Sequence, residues 1–241
     1  ILKHVLPLGI SSFLTQVSIV VIMAVMNNVL VIYGAGSKYG ADIPMTVVGI
    51  VMKVFQIVIS VVVGIAAGAQ PIVGYNYGAG LWRRVKLIFR TMMAAEFSVG
   101  LVSLICFEVF PVQIISVFGS EDGLYNEFAV LAFRVFLGGI VLCCIQKSCS
   151  IFLQSMGKPA LSMLLSLLRD FVLSVPLTLV LPRLFGVTGA LYSGPAADVI
   201  SFGAAVLCMA AVFRKLNRLE DGEVALYGAS QGGLAVERKI C

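Results

Sequence analysis

The chain has 241 residues, of which 60% are hydrophobic and only 12% charged, with a formal net charge of +5. Soluble globular domains carry about 25% charged residues. Together with a mean hydropathy of +1.04, these values exclude a water-soluble domain and define an all-α integral membrane protein. The basic residues fall in short clusters between apolar runs, without the continuous face that nucleic-acid binding requires.

A membrane-spanning helix takes about 20 mostly apolar residues. Six runs reach that length, at roughly 5–33, 44–76, 84–109, 124–156, 160–184 and 187–214, and predict a six-helix bundle. Glycine-rich or turn-forming stretches separate them: 34–40, 78–80, 119–123, Gly157-Lys158-Pro159 and Gly186. We therefore divide the chain into a transmembrane lobe, 1–214, and a flexible cytoplasmic tail, 215–241, where a sustained apolar period is lost. The first residue is Ile1 and apolar sequence begins almost at once, so the chain reads as a piece of a longer protein.

Lysine and arginine placement sets the orientation. Lys3, Arg83, Arg84, Lys86, Arg90, Lys158, Arg214, Lys215 and Arg218 collect on one side, assigned to the cytoplasm with both ends of the chain. The opposite side holds Lys38 and Arg183 and an acidic connection with Glu108, Glu121, Asp122 and Glu127.

Taken in order, the first span carries Ser11, Ser12, Thr15, Gln16, Ser18, Asn27 and Asn28. Thr15, Gln16, Asn27 and Asn28 suit the lining of a wet cavity, and equally suit hydrogen bonding between helices. In the second span Gly64 and Gly68, and Gly74 and Gly78, are four apart, a small-residue spacing that lets helix backbones approach closely. Lys53 and Gln56 lie three apart on the same helix and share a face, a second candidate lining pair. Lys53 also has a snorkelling route to the outer side, as Lys147 has to the inner one.

Glu96 in the third span is either a buried carboxylate, whose charged form desolvation disfavours, or the partner of a nearby lysine. Arg134, Gln146 and Lys147 occupy the fourth span, with Gln146 a further candidate lining residue.

Arg169, Asp170 and Asp198 are the most informative charges, because charge in the lipid core is costly and marks function by default. At about 1.5 Å per residue, Arg169 lies about 13 Å from the inner edge and Asp198 about 16 Å from the outer edge. Across a core of about 30 Å the two are at nearly the same depth. They are expected to pair, directly or through Asp170, as a structural pair or as a proton or cation relay. Successive residues do not face each other on an α-helix, so Arg169 and Asp170 are not expected to bond. Pro71, Pro176 and Gly194-Pro195 are expected to kink or interrupt their helices.

Nothing in the sequence points to catalysis. There is no HExxH, no membrane-span histidine and no GxSxG within the six spans, and the six cysteines form no CxxC pair. No cofactor and no metal ligand set are expected.

The end of the second span reads Gln70-Pro71-Ile72-Val73-Gly74-Tyr75-Asn76-Tyr77-Gly78-Ala79, followed by a basic turn. This stretch resembles the hallmark of the multidrug and toxic compound extrusion family. The resemblance extends to Met26-Asn27-Asn28, to 40–44, to Leu153–Pro159 and to Gly194–Asp198. It implies the second six-helix lobe of a twelve-helix transporter in the plasma membrane. Such a protein exports drugs or organic cations by alternating access, driven by a proton or sodium gradient. Its partner would be the N-terminal half.

Two acidic coupling positions of some family members fall on Thr15 and near Cys143, and neither acid is present. The resemblance therefore leaves coupling to a carboxylate in the other half, in preference to Asp170 and Asp198 or to a different mode of coupling. The competing reading is a flippase for lipid-linked precursors, whose pyrophosphate would need Lys53, Arg134, Lys147 and Arg169 to converge.

Overall fold

In the computed structural model the backbone is described for residues 2–118 and 123–237, and side chains for 13–118 and 123–222. Lys3, Ser11, Ser12, Glu121 and Asp122 thus lie outside the described side chains.

Helix α1 (Leu2–Ala35) turns through Gly40, which adopts φ +70°, into α2 (Asp42–Gly78). Asp42 sits in the first turn of α2, where a carboxylate favours the helix dipole. A second tight turn at Gly80, φ +74°, leads to α3 (Trp82–Val109). A short helix not anticipated from sequence, α4 (Pro111–Ser116), starts on a proline whose missing N–H costs nothing at that position.

The fourth span is two helices, α5 (Gly123–Leu137) and α6 (Ile140–Ser155), broken at Gly138-Gly139. The break is a packing requirement. A Cβ on Gly139 would sit 2.8 Å from Asp198 Oδ2 and 3.2 Å from Pro195 Cα.

The fifth span is also composite. It runs as α7 (Pro159–Leu167), a π-helical turn at Leu168–Leu173, and α8 (Ser174–Phe185). Pro176 lies, as expected, inside the helical run that continues from Pro159 to Phe185, shortly past the π-turn. The wide turn before it is closed twice by Ser174, whose N–H and Oγ both donate to the Arg169 carbonyl, the latter at 2.7 Å.

The sixth span, α9 (Val187–Glu237), continues through Pro195 without interruption. It also continues past 214, so the backbone of the expected tail is helical as far as Glu237. Extending an existing helix avoids the cost of a new nucleus.

The described residues hold six helical stretches long and apolar enough to cross a membrane, between Phe13–Ala35 and Val187–Gly222. Helix α6 lies centrally, packed on α2, α3, α7 and α9, and α8 runs against α9. Two apolar clusters fill the interior. One is built on Leu30, Val51, Phe128, Phe133 and Leu191, the other on Phe152, Leu153, Met209 and Leu216.

The two ends of the bundle are held by different ion pairs. At one end Lys86 pairs with Glu220 and donates to Asn217 at 2.9 Å. At the other, Lys38 meets Glu127 at 2.7 Å and Arg134 meets Glu108 at 3.5 Å. Lys86 of the one set and Lys38, Glu108 and Glu127 of the other thus fall in separate ion pairs.

Among the described residues the glycine pairs of α2 make no close helix contact. A Cβ on Gly64, Gly68 or Gly78 would meet nothing within 4 Å, and one on Gly74 would touch only the Ser155 carbonyl at 3.4 Å. Close helix approach instead falls on Gly100 against Val141, Gly189 against the Leu181 carbonyl and Gly194 against Phe136.

A charged and hydroxyl-lined cavity between the helices

A cavity of about 580 Å³ opens between α1 and α2 on one side and α6 to α9 on the other. That is the size of small-molecule sites, which run from about 300 to 1,000 Å³.

The two walls differ in chemistry. Residues from α1 and α2 supply Ile19, Met23, Met26, Met52 and Phe55, with Thr15, Gln16, Gln56 and Ser60 among them. The opposite wall is a stripe at every fourth residue, Ser162, Ser166, Ser174 and Thr178 with Asp170 in the middle place, joined by Ser150 and Ser193. Ser150 Oγ hydrogen-bonds with Ser162 Oγ at 3.1 Å and Ser166 Oγ at 2.8 Å. Thr178 donates to Ser193 Oγ at 3.1 Å. This stripe was legible as a helical repeat of small polar residues, and sequence reasoning passed over it.

In the middle of the hydroxyl wall lies a chain of four charges. Lys147 Nζ donates to Asp170 Oδ2 at 2.8 Å, and Arg169 Nη1 donates to Asp170 Oδ1 at 2.7 Å. Arg169 Nε donates to Asp198 Oδ1 at 2.8 Å. The side chains are 14%, 2%, 14% and 4% exposed in the order Lys147, Asp170, Arg169, Asp198, so this chain is screened from water and its members compensate each other. Arg169 also lies 5.9 Å from the Phe55 ring centroid, across the cavity.

The depth match between Arg169 and Asp198 is thus a direct hydrogen bond. Two sequence expectations are corrected here. Arg169 and Asp170 do bond, because the π-turn holds more residues per turn than an α-helix and so rotates successive side chains apart by less. Lys147 does not snorkel, because Asp170 offers a buried counter-charge that replaces water.

The remaining candidate residues separate. Thr15, Gln16 and Gln56 line the cavity. Asn27, Asn28 and Lys53 are exposed and lie outside the lining. They project from faces of α1 and α2 turned away from the cavity, a rotation that periodicity alone left open. Gln146 is fully buried and donates to the Leu165 carbonyl at 3.1 Å, tying α6 to α7 instead of facing the cavity.

The hallmark Gln70–Gly78 ends α2. Asn76 is buried, its Nδ2 donates to the Ile72 carbonyl at 2.7 Å, and its own carbonyl accepts from Leu81 N–H at 2.9 Å. Tyr77 meets Trp82 edge-on at 5.4 Å, while Tyr75 is exposed. Pro71 removes the N–H that would bond the carbonyl of Ala67, a cavity-lining residue.

Glu96 is fully buried against α6, and neither carboxylate oxygen has a hydrogen-bond partner among the described residues. The lysine partner envisaged from sequence is not there.

The described residues thus form six helices long and apolar enough to cross a membrane, around a small-molecule-sized cavity with a charged wall. The MatE family model matches residues 8–180, and the chain belongs to that family of transporters.

Among curated relatives, the multidrug export protein MepA of Staphylococcus aureus is 23% identical over 209 residues, 86% of this chain and 44% of that protein. MepA of Staphylococcus haemolyticus is 24% identical over 93% of this chain and 47% of its own length. Among solved structures, the outward-facing conformation of a multidrug resistance MATE family transporter of the MOP superfamily superposes with a TM-score of 0.81 at 19% identity, covering 90% of this chain and 48% of that one. An inward-facing conformation of such a transporter gives 0.76 at 18% identity, over 87% and 47%. The chain therefore spans about half the length of the relatives it matches.

Proposed function

We propose that this chain is the C-terminal six-helix lobe of a cation-coupled antiporter. It would export drugs or organic cations across the plasma membrane by alternating access, driven by a proton or sodium gradient. The observation that carries this reading is the cavity, with a soft apolar wall of methionines and Phe55 facing a hydroxyl wall that holds Lys147, Asp170, Arg169 and Asp198.

The partner lobe would cover the exposed face of α1 and α2, where Gly64 and Gly68 meet nothing within 4 Å. Both ends of this lobe would lie on the cytoplasmic side with the Lys86–Glu220 cluster. Transport, not catalysis, fits a site whose polar groups bind and compensate one another without a nucleophile and base in contact.

A lipid-linked precursor flippase is less well supported. Of the four basic residues that would have to converge on pyrophosphate, only Lys147 and Arg169 line the cavity, and both are already paired. Lys53 lies outside the lining and Arg134 pairs with Glu108.

Dye efflux compared in cells with and without the full-length gene tests the reading. Accumulation of ethidium should fall when the gene is expressed, and equal accumulation would reject it. Asp198→Asn then locates the coupling step. Lost efflux at unchanged abundance and fold places a relay in this lobe, and unchanged efflux assigns coupling to the rest of the protein.

A further inference from the structure

The two cations of the cavity wall are held very differently. Arg169 makes two charged contacts, through Nη1 to Asp170 and through Nε to Asp198, and its carbonyl is tied to Ser174 Oγ at 2.7 Å. Its planar fork is fixed on both carboxylates at once. Lys147 makes one charged contact, Nζ to Asp170 Oδ2 at 2.8 Å, on a flexible four-carbon stem rooted on α6, a different helix.

Only Lys147 can therefore withdraw by breaking a single bond. When it does, Asp170 stays oriented by Arg169 through Oδ1 and presents Oδ2 to the cavity. The wall then holds two carboxylates against one guanidinium, a deficit of one positive charge.

A lipophilic monovalent cation restores neutrality at that point. Phe55, which already faces the Arg169 guanidinium at 5.9 Å, offers a π-face within the same cavity. Met23, Met26 and Met52 offer soft, adaptable surface to its apolar body.

We propose that Asp170 Oδ2 is the docking point for the cationic group of the transported molecule, and that Lys147 is a tethered cation occupying it between transport events. The inference rests on the export reading above and names the exchange that occurs at its site. No bond is made or broken covalently: the Lys147 ammonium leaves Asp170 Oδ2 and the substrate cation takes its place, while the displaced ammonium stays on its stem, so loading adds one positive charge to the lobe. Lys147 then acts as a competitor built into the wall, which keeps the empty carrier neutral and sets a threshold of affinity for cargo. The other groups bearing on Lys147 are Asp170 and Arg169 from the π-turn, Asp198 from α9, and the uncharged Gln16 and Gln56 from the facing helices.

The test uses the full-length gene product in lipid nanodiscs with tetraphenylphosphonium and ethidium as probes. Lys147→Met removes the competitor and should tighten probe binding about tenfold, the loss of one competing charge contact. Lys147→Arg should weaken it by a similar factor, because a guanidinium, always charged and with less rotamer freedom lost per hydrogen bond, holds Asp170 Oδ2 more firmly than an ammonium. Asp170→Asn should abolish binding and erase the difference between the two Lys147 variants.

Thermal unfolding shows which variants are folded. If Lys147→Met is not, the sign of the Lys147→Arg effect decides. Wild-type binding with no response to either Lys147 substitution, or undiminished binding in folded Asp170→Asn, overturns the proposal while leaving export intact. Absence of probe binding in every variant, wild type included, removes the export reading and the proposal with it.

Discussion

Arg169 and Asp170 are consecutive in the chain, yet their side chains bond to each other, Nη1 to Oδ1, at 2.7 Å. An α-helix would splay the two apart. The π-turn at Leu168–Leu173, pinned by Ser174 and followed by Pro176, brings both onto the cavity wall. Wide turns of this kind are frequent at functional sites, and here the turn lets one helix supply both signs of charge at one depth.

The chain of charges gives a first prediction. Arg169→Met strands Asp198 as a buried carboxylate without its partner, and should cost about 3–5 kcal/mol of stability. Arg169→Met with Asp198→Asn removes the stranded charge and leaves Lys147 paired with Asp170, so the double variant should be more stable than the Arg169→Met single. Thermal unfolding of the four proteins in one detergent checks the non-additivity. Simple additivity would mean that the two residues do not act as a pair.

Gly139 gives a second. A methyl group there would meet Asp198 Oδ2 at 2.8 Å and the Pro195 backbone at 3.2 Å, and the backbone cannot swing aside. Gly139→Ala should cost about 1–3 kcal/mol, the usual range for overpacking, and displace Asp198 from Arg169. Gly203→Ala, inside α9 with nothing within 4 Å, is the control and should raise stability by about 0.5–1 kcal/mol, because Ala is the better helix former.

Glu96 gives a third. Its oxygens are buried without hydrogen-bond partners, a state that costs about 1–3 kcal/mol for an ordinary polar group. Glu96→Met, close in volume, should raise the unfolding temperature. If efflux falls while stability rises, the carboxylate is kept for transport at the expense of packing. A lower unfolding temperature would show instead that Glu96 has a stabilising partner.

Topology supplies a fourth. Arg83 and Ala160 are expected on one membrane face and Ala35 on the other. Single cysteines placed at these sites, with the native cysteines replaced, should be labelled by an impermeant maleimide from opposite sides. Labelling of Arg83→Cys and Ala160→Cys from different sides would break the six-span order.

Much of this was legible in one dimension, because burial in lipid writes itself into composition. Six apolar runs follow from the need of every spanning backbone to bond internally. The depth match of Arg169 and Asp198 follows from a constant rise per residue, and membership of an export family from Gln70–Gly78. Contacts that depend on helix rotation were not legible. Asn27, Asn28 and Lys53 have the same polarity as Gln16 and Gln56, but a helix can turn either face to the interior, and packing against α5 to α9 made the choice. The Arg169–Asp170 bond and the withdrawal of Lys147 from solvent depend on a wide turn whose hydrogen bonds shift by one residue. That shift changes no periodicity, so only the folded chain could reveal it.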